Sequence, residues 1–140
     1  MYLKKIKTFV FGFILPLLII SCSKGGGSDP PPPPPTEVNL SIAIDPDPGS
    51  TIAKALGASY DFKLLINSKM PALGVEITVV FRKESDNSVL SSQNINSTTS
   101  PINITISSIA LNEVGVVTID VKSKSKPTNT ASKTFKLARK

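Results

Sequence analysis

From residue 38 onward the apolar and polar positions alternate with a period of two. Val38, Leu40, Ile42 and Ile44 alternate with Asn39, Ser41 and Ala43, the pattern of a strand with one face buried. Tyr60, Phe62, Leu64 and Ile66 repeat it against Ser59, Asp61 and Lys63, and Val75, Ile77, Val79 and Phe81 repeat it against Glu76, Thr78 and Arg82. Three later strands are predicted to point Ile102, Ile104 and Ile106, then Val117, Ile119 and Val121, then Phe135 and Leu137 inward. Residues 88–95, SVLSSQNI, form a weaker strand expected at an edge, and Ile52 marks a short one. Turn chemistry separates these runs: DPDPG at 45–49, KMP at 69–71, SDN at 85–87, STTSP at 97–101 (within NSTTSP) and KPTN at 126–129. The one helix candidate, STIAKALGAS at 50–59, carries Gly57 and a β-branched start, and the pattern favours a turn there. About seven short strands with clean alternation predict an all-β domain of two antiparallel sheets packed face to face.

The first 36 residues follow another rule. Lys4, Lys5 and Lys7 precede an apolar run over residues 9–20, then Ser21 and Cys22. A positive start, a short apolar stretch and a small residue make a secretory signal peptide, here residues 1–21. The apolar run is too short for a permanent spanning helix, which needs about 20 residues, and Pro16 interrupts it. Ile19, Ile20, Ser21 and Cys22 resemble the lipobox of bacterial lipoproteins. The resemblance implies a diacylglyceryl thioether on Cys22, cleavage just before it, and acylation of the new amino terminus by a fatty chain such as palmitate. Cys22 is then the first residue of the mature protein, held to the membrane by acyl chains at about 0.8 kcal/mol per buried methylene.

Residues 22–36 read as a linker. Residues 23–28 are small and polar, and the six prolines at 30–35 predict a polyproline II rod of about 19 Å at about 3.1 Å per residue. Such a stalk holds residues 37–140, the expected domain, away from the headgroups. The string SCSKGGGSDPPPP is similar to the start of lipoproteins from Bacteroidetes-type bacteria, where a lysine followed closely by acids goes with export to the cell surface. Lys24 matches, while 25–28 separate it from Asp29. An outer-membrane location follows from the resemblance, with the cell surface and the periplasmic face both open.

Within the domain, LNEVGVVTIDV at 111–121 resembles the corner and sixth strand of immunoglobulin-like domains, where a leucine, a glycine and an aromatic lead into an alternating strand. Leu111 and Gly115 match, and Val117 stands where the aromatic is expected. The resemblance implies a single immunoglobulin-like β-sandwich over residues 37–140.

Charge changes the picture only locally. The formal net charge is +6, but without Lys4, Lys5 and Lys7 the 16 basic residues become 13 against 10 acidic ones, a net +3. That is too little to argue for nucleic acid. Seven basic and no acidic residues fall in 122–140. The alternation places Lys122, Lys124 and Lys126 on one outward face with Lys136 joining from the last strand, a candidate patch for an anionic glycan or lipopolysaccharide phosphate. The competing and commoner reading is that these lysines guard an edge strand against pairing with another molecule. Asp45 and Asp47 offer oxygen to calcium, but a calcium site needs six or more ligands and a turn is the simpler role.

Catalysis finds little material. Histidine is absent and the single cysteine is assigned to lipid, which removes the commonest general base and metal ligand. Glu76, Glu84, Asp86 and Glu113 fall on outward positions or loops with no visible acid and base pair. No enzyme activity, metal or cofactor is expected. The function expected is a lipid-anchored, non-catalytic binding or adhesion module with a glycan or protein partner. Its alternative is a structural accessory subunit of an outer-membrane assembly whose sandwich edge accepts or donates a strand.

Overall fold

The computed structural model describes residues 36–140, and they contain eight strands and no helix. In chain order these are β1 (Ile42–Asp45), β2 (Ile52–Ala55), β3 (Tyr60–Ile66), β4 (Val75–Lys83), β5 (Val89–Ser97), β6 (Ile102–Ile106), β7 (Val114–Ser123) and β8 (Thr130–Arg139). One sheet has the order β1-β3-β6 and the other β2-β8-β7-β4-β5. The expected all-β sandwich of two sheets is what forms.

The inward residues read from the alternation fill the space between the sheets. Leu64, Val75, Ile77, Val117, Ile119 and Leu137 have no exposed surface, and Val79, Phe81, Ile106 and Val121 have almost none. Each fully buried aliphatic side chain contributes about 1.5–3 kcal/mol by leaving water. The sheets meet at an aromatic contact: Phe62 of β3 stands edge-on to Phe135 of β8, centroids 5.5 Å apart at 83°, with Tyr60 packed 6.2 Å from both. The edge-on arrangement is the one that a ring quadrupole favours. Gly115 lies inward on β7 beneath the Phe81 ring, and a Cβ there would also meet the Arg82 carbonyl oxygen at 2.7 Å. The glycine is required by this close approach of β7 to β4.

The structure departs from the sequence reading in three places. The stretch at 38–44 is not one strand. Val38 is exposed, only residues 42–45 pair with β3, and the preceding segment is held by Asn129 instead of a ladder. Residues 50–59, read as a turn, contain β2, the short strand that Ile52 marks, with Ile52 facing outward and Ala53 and Ala55 buried. Finally, β2 runs parallel to β8, with Ala53 opposite Leu137, whereas every other ladder is antiparallel as expected. The turn at 46–51 lets the chain leave β1 in one sheet and enter β2 in the other, which forces this direction.

Candidate functional site

Strand direction sorts the loops into two groups. One end of the sandwich carries residues 36–41 and the loops 67–74, 98–101 and 124–129; the other carries 56–59, 84–88 and 107–113. The turn 46–51 joins two strands that run the same way and lies along the flank, with Asp47 beside Lys133 in the middle of β8. The end at which residue 36 enters is fastened by two buried polar side chains, Ser123 and Asn129. Asn129 Oδ1 accepts the Leu40 N–H at 2.8 Å, and its Nδ2 donates to the Val38 carbonyl at 2.9 Å and to Glu37 Oε1 at 2.6 Å. Ser123 Oγ accepts the N–H groups of Ser125 and Lys126 at 3.1 and 3.0 Å. The chain leaving the proline run is thereby tied to the β7–β8 turn by bonds that bridge about ninety residues of sequence. Nothing in the alternation pattern marks Asn129; its one signal is a Pro-Thr-Asn turn before a strand.

The candidate anionic patch does not form as one cluster. Lys122 and Lys136 do lie on the same outer face, but Lys122 is opposite Thr130 while Lys136 is opposite Val116, six positions along the ladder and therefore roughly 20 Å apart. Each already has an acid. Lys122 Nζ sits 2.8 Å from Glu76 Oε2, its neighbour across the β4–β7 ladder, and Lys136 pairs with Glu84. Asp120, two residues before Lys122 on the same face, adds negative charge beside it. Lys124 and Lys126 lie in the exposed turn and make no ion pair among the described residues.

The edge-guard reading of these lysines is also corrected. β7 lies between β8 and β4, and at Lys136 β8 lies between β2 and β7, so neither Lys122 nor Lys136 sits on an edge; only residues 130–135 of β8 lack a strand on that flank. The true edges are β1 and β6 in one sheet and β2 and β5 in the other. The expectation that residues 88–95 form an edge strand holds, as β5.

The carboxylates are dispersed in the same way. Glu76, Glu84 and Glu113 pair with Lys122, Lys136 and Lys83 respectively; Glu84 and Glu113 line one shallow cavity, but each is engaged by a different lysine. The hydrogen bond from Lys122 holds the Glu76 carboxyl below the usual glutamate range, and the Lys124 charge adds to the effect. The Glu113 carboxylate, 2.8 Å away, pushes the Lys83 ammonium pKa up. Asp86 is lowered first by the Ser88 hydroxyl and then by the Ser88 N–H. Asp47, considered above for calcium, is instead bonded to Lys133 at 2.7 Å and accepts the Gly49 N–H at 2.9 Å, and both interactions lower its pKa. Among the described residues no three His, Cys, Asp or Glu side chains gather as a metal site would need.

Cys22 and the lipobox residues Ile19, Ile20 and Ser21 lie outside the described residues. At the far end of the sandwich the loops 56–59 and 107–113 are joined by the Ile109 N–H, which donates to the Ala58 carbonyl at 3.1 Å. Their apolar side chains Leu56 and Leu111 are 88% and 58% exposed, and neither stands in an alternating run that would mark it. No protein-family model matches the chain, and no curated protein matches it.

Proposed function

We propose that the chain is a lipoprotein of a Bacteroidetes-type outer membrane, anchored through acyl chains on Cys22, and that its domain is an immunoglobulin-like sandwich acting as a non-catalytic binding or adhesion module. The anchor rests on the sequence: a positive start, a short apolar run and Ile19-Ile20-Ser21-Cys22. The immunoglobulin-like assignment is supported by strand order. In such sandwiches the second and fifth strands share one sheet and the third, sixth and seventh share the other; β3 and β6 against β4, β7 and β8 fit that scheme when β1 and β2 are taken as the two halves of a first strand and β5 as an extra edge strand.

The observation that carries the binding reading is the polarity of the domain. A tether joined at residue 36 reaches the sandwich at the Asn129 end, so the loops at 56–59, 84–88 and 107–113 occupy the opposite end. Loops on a rigid sandwich are where such folds place recognition. The exposed Leu56 and Leu111 on that distal end are the apolar elements that a protein or glycan-ring surface covers. Protease shaving of intact cells tests the reading. Loss of the domain from intact cells, together with lower capture of partners by a Leu56→Ser, Leu111→Ser double variant than by the parent chain, is expected. Full protection that is lifted only by permeabilising the outer membrane would contradict surface binding.

A further inference from the structure

The four edge strands are not equally defended. β1 and β2 have four residues each; β1 ends at Asp45 followed by Pro46, and β2 contains Lys54. β6 has five residues and follows Pro101, and one of its carbonyls, that of Thr105, accepts the Gln93 amide at 3.0 Å. Short length, proline and lysine are the usual devices that stop an edge from pairing with another chain. β5 has none of them. It is nine residues long, VLSSQNINS, without proline, glycine or any charged side chain, and it ladders with β4 alone. Its one irregularity is the register shift opposite Phe81 and Arg82, so the seven residues 91–97 run as an unbroken strand. Alternate N–H and C=O groups along them face away from the sheet.

We infer that two copies of this chain pair antiparallel through β5 about a two-fold axis. Under a two-fold axis each residue meets the one equally far on the other side of the axis, and only the axial residue meets itself. A charge on the axis therefore faces its own copy, and a charge off it is uncompensated unless the opposite charge stands at the mirror position. A neutral strand is what this arrangement needs, and β5 is the only long neutral edge among the described residues. The register that uses all of 91–97 centres on Asn94. Ser91 then faces Ser97 of the second copy, Ser92 faces Asn96, Gln93 faces Ile95, and Asn94 faces itself. Parity is preserved, so the exposed Ser92, Asn94 and Asn96 stay on the outer face of one continuous sheet. The inference does not depend on Cys22 being acylated.

Single cysteines placed at each position from 91 to 97 in the full chain, followed by oxidation in intact cells and non-reducing electrophoresis, test it. The parent chain, with Cys22 alone, sets the background. A residue on the axis brings its two Cα atoms about 4.5–5.5 Å apart, within disulfide reach, whereas one step off the axis adds roughly 7 Å along the strand. Homodimer crosslinking is therefore expected to peak at Asn94→Cys, at least about fivefold above Ser132→Cys on the outer face of β8, and to fall on both sides. Added to Asn94→Cys, the pair S92K with N96K sets lysine against lysine twice and is expected to abolish the band. S92K with N96E sets lysine against glutamate twice and is expected to keep it. A flat profile at the level of Ser132→Cys would overturn the inference, as would equal bands from the two charge pairs. A crosslinked band of another mass without homodimer would overturn it in favour of a foreign strand.

Discussion

The β7–β8 hairpin carries most of the basic side chains of the last nineteen residues, while β5 carries no charge at all. Read as sequence, the first is the obvious contact surface and the second an unremarkable polar run. In the folded domain the order reverses. Lys122, Lys133 and Lys136 are each beside a carboxylate, β7 has a neighbour on each side throughout, and β8 has one on each side over residues 136–139. On β5 the side chains are quiet and the backbone of one whole flank has no strand to pair with. Surface charge on a sheet is decided by what the register places across the ladder, and unmet bonding capacity is decided by strand order. Neither can be counted from composition.

Burial gives the contrast its largest consequence. Ile119 of β7 has no exposed surface, whereas Ile95 of β5 is half-buried. Ile119→Ala is expected to cost about 2–5 kcal/mol in urea denaturation, and Ile95→Ala about 1 kcal/mol. Similar costs for the two would mean that β5 is packed as tightly as the centre of the sheet.

Next comes the clasp at the hairpin turn. Asn129→Ala removes the acceptor of a buried N–H and the donor to the Val38 carbonyl, for an expected loss of about 2–3 kcal/mol. A domain of this size then melts about 10 °C or more lower. Asn129→Asp keeps the acceptor for Leu40 but loses the donor and sets a second carboxylate against Glu37. It should not restore stability, and if it does, Asn129 serves only as a turn residue.

The ion pairs of the hairpin have the smallest expected effect, because exposed pairs are weak and screened. Their signature is in the pH profile. Glu76 and Asp47 have folded pKa values below their ordinary 4.5 and 3.8, so their contribution is present above those ordinary values and is lost as the pH falls through the depressed ones. Lys83 is raised above 10.5; its contribution is present below that value and is lost as the pH rises through the raised one. Lys122→Ala should lower the Tm by no more than a few degrees at pH 7, and the difference from the parent should vanish in acid once Glu76 is protonated in both. A difference that persists unchanged in acid would assign Lys122 a packing role.

Much of the core was legible because a period of two leaves little choice. Phe62, Leu64, Ile77, Val79, Ile104, Ile119 and Leu137 are all where the alternation puts them. What escaped did so for identifiable reasons. Ile109 is buried from within a loop, where no period exists to flag it. Val38 has the right parity but lies beyond the ladder, so parity alone does not bury it. The parallel pairing of β2 depends on a change of sheet between two four-residue strands, which local pattern does not encode. Asn129 looked like any turn asparagine because its partners, Glu37, Val38 and Leu40, are distant in sequence. The lysine pairs needed the β4–β7 register and the approach of the 84–88 turn to β8.

The anchor is the claim on which the proposed function turns, and the intact mass of the chain extracted from membranes tests it most directly. The account predicts a mature chain that begins at Cys22, lacks residues 1–21 and carries the added mass of a diacylglyceryl group with or without an amino-terminal acyl chain. A membrane-extracted chain that retains residues 1–21 with an unmodified Cys22 thiol would contradict it.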